Sequence, residues 1–250
     1  MRKLQDKIAI VTGAGSGFGA AIASFFSDSG AKVILADINY QAVKELSDKL
    51  GKSARPFKAN VAIKKDIDEL VNYCEAEFGI PEIVVNNAGT THKNMSLLDV
   101  NEATFDRIFS VNVKSLFHMT QRVVPSMRRA GRGNIINIGS VAGIRPRPGL
   151  TWYNGSKGAV NTLSKSLAIE LGPDNIRVNV ICPVMGETAL LEDFMGMKDT
   201  PENRKKFLAS IPLGRLAKPS DVAKAAVFLA SDDAEFLTGI EFPVDGGRII

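Results

Sequence analysis

The sequence predicts a single-domain α/β fold, a doubly wound parallel sheet of about seven strands with helices on both faces. Three observations lead there. Short β-branched apolar runs alternate with helical patterns along the whole chain. The runs are nearly continuously apolar, as strands buried on both faces must be. No linker, repeat or shift in composition divides the 250 residues, a length that one α/β domain routinely reaches.

The strand runs fall at residues 8–11, 32–36, 54–58, 83–86, 134–138, 176–181 and 240–244. Apolar residues at three- and four-residue spacing predict helices over 19–29, 40–50, 65–78, 105–127, 152–171 and 220–230. The stretch 183–219 breaks this rhythm. It holds Gly186, Gly196 and Gly214 and two weakly helical pieces, 188–196 and 201–211. An insertion of that length reads as a substrate loop or lid within the domain, or as a plain surface excursion.

Composition excludes several classes of function. The net charge of +4 is spread out, and runs such as Arg128-Arg129 and Arg204-Lys205-Lys206 are too short for a nucleic-acid stripe. Cys74 and Cys182 have no metal-site spacing, and only His92 and His118 are present, so no metal site is expected. The segment before the first strand has no apolar core of a signal peptide, and no run is long enough to span a bilayer. The expectation is a cytoplasmic protein that binds neither membrane nor nucleic acid.

The first strand leads through Thr12-Gly13-Ala14-Gly15-Ser16-Gly17-Phe18-Gly19 into a helix. Glycines let the chain turn sharply and let backbone approach a pyrophosphate at the helix N-terminus, as in Rossmann-type folds. Two registers fit: Gly15, Gly17 and Ala20, or Gly13, Gly17 and Gly19. Asp37 closes the second strand 18 residues after Gly19, where an acidic residue binds the ribose hydroxyls of NAD. Its charge repels a 2′-phosphate, and Ser16, Ile38 and Asn39 supply no cation to recruit one. The cofactor expected is therefore NAD. The alternative reading of Asp37 is a cap for the next helix.

Tyr153 and Lys157 stand four apart near a helix start and project from one face. A free phenol is a poor base at neutral pH; lowering its pKa by about 3 units takes roughly 4 kcal/mol. A neighbouring ammonium and a nicotinamide cation together can supply that. The phenol then exchanges a proton with an alcohol or carbonyl as hydride moves. The spacing alone is cheap: Tyr40, Lys44 and Ser27 repeat the relationship of Tyr153, Lys157 and Ser140. Context separates them. Ser140 follows a strand at the carboxyl edge of the sheet, where ligands bind, whereas Ser27 lies inside the first helix.

With these residues in place, the chain resembles the short-chain dehydrogenase/reductase family over essentially its whole length. The resemblance selects the register Gly13, Gly17 and Gly19. Asn86-Asn87-Ala88-Gly89 is similar to the family's fourth-strand motif, and Val244–Gly247 to its C-terminal turn. Asn60-Val61 stands where the family usually has Asp-Val near the adenine. The resemblance implies a catalytic set of Asn112, Ser140, Tyr153 and Lys157. In it Ser140 bonds the substrate oxygen, Lys157 binds the nicotinamide ribose and lowers the tyrosine pKa, and Asn112 holds a relay water. It also implies cofactor contacts from Ser16, Phe18, Asp37, Ile38, Asn60, Val61, Asn87, Ala88, Gly89, Pro183 and Thr188. Val184 replaces the glycine usual after the sixth strand and puts the path of that loop in question.

The implied reaction interconverts a secondary alcohol and a ketone, on a polyol, sugar, hydroxy acid or cyclic alcohol. Two alternatives stand: a 3-oxoacyl-acyl-carrier-protein reductase, which Asp37 disfavours because such enzymes generally use NADPH, and a non-catalytic NAD(H)-binding redox sensor. Arg145 and Arg147 are candidates to recognise an anionic substrate, a subunit contact or solvent. His92, Met185 and Glu187 are further pocket candidates. The resemblance implies a homotetramer formed through helices 105–127 and 152–171.

Overall fold

The computed structural model describes residues 2–250. Strands β1 (Ile8–Thr12), β2 (Lys32–Asp37), β3 (Ala54–Lys58), β4 (Ile83–Asn86), β5 (Gly133–Ile138), β6 (Ile176–Pro183) and β7 (Glu241–Val244) form one sheet. Its order is β3-β2-β1-β4-β5-β6-β7, and every pairing is parallel. The order reverses between β1 and β4, which opens a crevice at their carboxyl ends.

The apolar runs are explained by the two cores. Val11, Leu35, Val85 and Ile136 point into one layer with Ile22, Phe26 and Leu229 from α1 (Gly17–Asp28) and α9 (Pro219–Ala230). Ile10, Ile34, Val84 and Ile135 point into the other with Leu70, Val123 and Leu171. These come from α3 (Lys64–Glu77), α5 (Ser115–Ala130) and α6 (Thr151–Leu171). Residues alternate between layers because strand side chains alternate faces. Helix α2 (Tyr40–Leu50) adds Val43 to the first layer. The asparagines that interrupt the apolar strands are bonded internally. Asn86 Nδ2 donates to Asn137 Oδ1 at 2.8 Å, and Asn137 Nδ2 to Ser164 Oγ at 2.9 Å.

The predicted helix over 105–127 is two helices. Helix α4 (Glu102–Phe109) passes through a π-turn at Ser110–Lys114 into α5. Such insertions are seldom visible in apolar spacing, since one extra residue only rotates the pattern. In the long connection, α7 (Leu191–Met195) and α8 (Pro201–Leu208) are shorter than the patterns at 188–196 and 201–211. They carry a small core of their own, in which Leu191, Met195, Ile211 and Leu216 pack with Val141 and Val184. Among the described residues, no helix is long and apolar enough to cross a membrane, and no histidine, cysteine or carboxylate cluster could hold a metal ion.

Candidate active site

A cleft of about 780 Å³ opens at the carboxyl edge, lined from the glycine loop at one end to Tyr153, Phe194 and Phe207 at the other. That volume suits a dinucleotide with a small substrate.

The glycine loop is built by close approach. Gly13 and Gly17 have φ of 65° and 54°, a region that L side chains enter only with strain. At Gly19 a Cβ would stand 2.0 Å from the carbonyl oxygen of Gly13. Gly19 therefore lies beneath the loop, where its role is to let α1 pack, and it is absent from the cleft lining. The fourth-strand motif holds the loop from the side. Asn87 Nδ2 donates to the carbonyls of Thr12 and Gly13 at 2.8 and 3.1 Å, and Thr12 Oγ1 accepts from the N–H groups of Asn87 and Ala88.

Asp37 sits at the lip of the cleft with both oxygens fixed. Oδ2 accepts from Gly15 N–H and Oδ1 from Asn39 N–H, each at 2.9 Å. The cap of α2 is instead Asn39, whose side chain accepts from Ala42 N–H. Ser16, Phe18, Ile38, Asn60, Val61, Gly89, Pro183, Met185 and Thr188 all line the cleft. This lining fits a nicotinamide dinucleotide: a close-packed glycine loop at a helix start at one end, an anchored carboxylate beside it and an apolar chamber at the other. Val184 follows its strand without left-handed backbone. Its N–H donates to Val244 O at 3.2 Å, and its side chain is 8% exposed. Valine is thus tolerated where the family usually has glycine.

Ser140, Tyr153 and Lys157 meet in the cleft. Ser140 caps a short 3-10 turn, Val141–Gly143, by accepting from Ala142 N–H at 3.0 Å. A Cβ at Gly143 would lie 2.7 Å from the backbone of Lys157, so the turn presses directly on α6. This contact brings Ser140 onto the same cleft wall as Tyr153, where its hydroxyl favours the phenolate. Lys157 Nζ donates to Ile138 O at 2.7 Å. Burial pushes the Tyr153 phenol up to about 12, against opposing effects of Ser140 and Arg147. Burial also draws the Lys157 ammonium down to about 8. In the protein alone the phenol is thus shifted upward, opposite to the lowering expected from the sequence. The nicotinamide charge belonging to that expectation is supplied only by the bound cofactor.

Asn112 projects from the π-turn and is 1% exposed. Its Oδ1 accepts from Thr90 N–H at 2.8 Å, while Nδ2 donates to Thr90 O and Ser156 Oγ, each at 2.9 Å. It stands behind the cleft wall rather than in its lining, clamping Thr90 to α6.

Two pocket candidates lie elsewhere. His92 faces a separate cavity of about 260 Å³ with Lys93 and Asp193; its Nδ1 is 2.8 Å from Lys93 O. Glu187 is turned away to pair with Arg204 at 3.1 Å, because residue 186 is tied to Ala217 by a parallel bridge. His118 is buried in α5. The Tyr40 set is dispersed: Ser27 shares a hydrogen bond with Ser53, and Lys44 pairs with Asp48. Sequence reading did not identify Phe194, Phe207, Lys206, Arg107 or Arg248 as lining residues. The helical piece at 201–211 was the only signal for Phe207.

A parallel sheet reversing at a glycine loop, with tyrosine, lysine and serine at its carboxyl edge, defines a nicotinamide-dependent oxidoreductase. The family model described as enoyl-(acyl carrier protein) reductase matches residues 13–248. The chain is 48% identical to 4-formylbenzenesulfonate dehydrogenase TsaC1/TsaC2 of Comamonas testosteroni, covering 99% of both chains. It is 39% identical to the 3-oxoacyl-[acyl-carrier-protein] reductase FabG of Thermotoga maritima, over 99% of this chain and 100% of the relative. Among solved structures, 3-ketoacyl-(acyl-carrier-protein) reductase from Brucella melitensis, complexed with NADH, superimposes with a TM-score of 0.94. It is 42% identical, over 99% of this chain and 100% of that one. The chain belongs to the short-chain dehydrogenase/reductase family, and is an enzyme acting on CH–OH groups and their carbonyl counterparts.

Proposed function

We propose that the protein is an NAD-dependent dehydrogenase of secondary alcohols, with Tyr153 as general acid/base. The observation that carries this reading is the convergence of Ser140, Tyr153 and Lys157 on one cleft wall. When bound, NAD supplies the hydride acceptor and a positive ring. Tyr153 takes the alcohol proton, Ser140 bonds the substrate oxygen, and Lys157 holds the ribose while its charge favours the phenolate. Asn112 ties the loop at Thr90 to Ser156 of α6 and so holds the wall behind Lys157. Phe194, edge-on to Tyr153 with centroids 5.1 Å apart, helps exclude bulk water. The segment 183–219 acts as the substrate lid, since α7 and α8 contribute Phe194 and Phe207 to the cleft.

The anchored Asp37 carboxylate supports NAD over NADP, as does the NADH held by the Brucella reductase. Excess positive charge at the substrate end supports an anionic substrate, and the sulfonate in the name of the Comamonas relative agrees with it. Exposed Phe117 (59%) on α5 and Ile169 (79%) on α6 support a homotetramer assembled through those helices. Two buried, unpaired thiols, Cys74 and Cys182, support a reducing, cytoplasmic setting. Reduction of 3-oxoacyl groups on acyl carrier protein is the second reading, supported by the two named reductases.

The test is NADH formation across a panel of alcohols, sugars and hydroxy acids, with NAD and NADP compared. Turnover with NAD that vanishes in Tyr153→Phe supports the reading. Preference for NADP with acyl carrier protein substrates overturns it in favour of the second.

A further inference from the structure

The charges around the cleft are unequal. Among the described residues, Asp37 is the one carboxylate side chain lining it, at the glycine-loop end, against Arg107, Arg145, Arg147, Lys157, Lys206 and Arg248. The two arginines of the loop before α6 are in different circumstances. Arg145 is exposed, and its Nη1 donates to the main-chain oxygens of Arg248 and Ile250 at 3.0 and 3.3 Å. It fastens the C-terminal segment. Arg147 is partly buried and has no carboxylate partner among the described residues. One N–H donates to Phe194 O, and the guanidinium lies 5.4 Å from the centroid of Phe207. The other N–H donors are left for a ligand.

A guanidinium drawn out of water without a counter-ion is costly, and an anion delivered to it recovers much of that cost. Loss of solvent already lowers the proton affinity of Arg147, and its charge acts on Tyr153. Anchor and reacting phenol therefore share one chamber. Its walls are apolar and aromatic: Phe194 beside Tyr153, Phe207 under Arg147, and Leu150, Leu190 and Ile211 between the loops. A flat ring fits between such walls, and a carboxylate or sulfonate on it can meet a guanidinium edge-on with two parallel hydrogen bonds.

We propose that Arg147 is the specificity-determining residue for an aryl carboxylate or aryl sulfonate substrate, gripping the anion while Phe194 and Phe207 flank the ring. Arg145 takes no part in this grip. The inference rests on the dehydrogenase reading of the cleft and names the substrate class for it.

Calorimetric titration of the enzyme–NADH complex with benzenesulfonate, benzoate and neutral benzenesulfonamide tests it directly. Wild type should bind both anions about 10- to 100-fold more tightly than the sulfonamide, the range of one charged hydrogen-bonded pair. Arg147→Met should abolish that discrimination, and Arg147→Lys should restore part of it, since a point charge lacks the planar fork. Arg145→Met should retain it. NADH fluorescence titration verifies that each variant keeps a folded cleft. In parallel, NADH-linked reduction of 4-acetylbenzenesulfonate should lose its efficiency in Arg147→Met chiefly through KM, with the pH profile of kcat moved upward as the charge beside Tyr153 is lost.

Equal binding of the sulfonamide and the anions by wild type overturns the proposal, and this comparison needs no variant to fold. Anion discrimination that survives in Arg147→Met also overturns it. Arg147-dependent anion binding without turnover of any carbonyl supports the anion site and overturns the dehydrogenase reading. Turnover of neutral ketones with no charge discrimination does the reverse.

Discussion

The Lys157 ammonium donates to the main-chain oxygen of Ile138 at 2.7 Å, so the last residue of β5 holds the cation one helical turn beyond Tyr153. Backbone of the sheet thus fixes a side chain of the helix that covers it. Burial lowers Lys157 from 10.5 to about 8. Because the native value lies below the unfolded one, the native state binds fewer protons between them, and stability rises with pH across that window. Below about pH 8 the buried charge costs stability; above about pH 10 the cost is gone. Lys157→Met should therefore be stabilised relative to wild type by about 2–3 kcal/mol more at pH 7 than at pH 10. Urea unfolding at the two pH values measures this, and a pH-independent difference would refute it. Activity should fall by about 10²- to 10⁴-fold in the same variant.

Asp37 is anchored by Gly15 and Asn39, so its carboxylate is oriented before any ligand arrives. Replacing it with alanine should raise the KM for NAD by about 10- to 100-fold, the worth of a charged hydrogen bond. The KM for NADP should fall as repulsion of the 2′-phosphate is lifted. Initial rates with both cofactors decide the matter; unchanged selectivity would sink the assignment.

Gly19 has no room for a methyl group, since its Cβ would stand 2.0 Å from a backbone oxygen. Gly19→Ala should cost about 3 kcal/mol, the upper end of overpacking, and lower Tm by roughly 6–12 °C. NADH affinity should fall with it as the loop is displaced. A melting curve matching wild type would show that α1 can shift freely.

Val184 packs with Leu191, Met195 and Leu216, and its backbone is not left-handed. Introducing glycine, as the family usually has, should destabilise the protein by about 2–3 kcal/mol through lost apolar burial and added chain entropy. Chemical denaturation of Val184→Gly is the check. A neutral or stabilising result would mean the loop prefers another path.

The strand–helix alternation determined the fold because burial on both faces leaves little choice of residue: Val, Ile and Leu in the strands, apolar stripes on the helices. The glycine loop was legible for a similar reason, as close backbone approach demands glycine at a local spacing; the same spacing supplies Asp37, whose binding of a ribose is part of the proposed function. Tyr153 and Lys157 were legible only as a pair on a helix face, which Tyr40 and Lys44 also provide. Tertiary structure decided what depends on contacts distant in the chain. It turned Glu187 towards Arg204, set His92 in a separate cavity, and inserted the π-turn that aims Asn112 at Thr90. Both arginines line the cleft, but tertiary packing ties Arg145 to the C-terminal segment and sets Arg147 beside Phe194 and Phe207. Periodicity records which face of an element is buried; which neighbour receives a polar side chain depends on the packing of elements far apart in sequence.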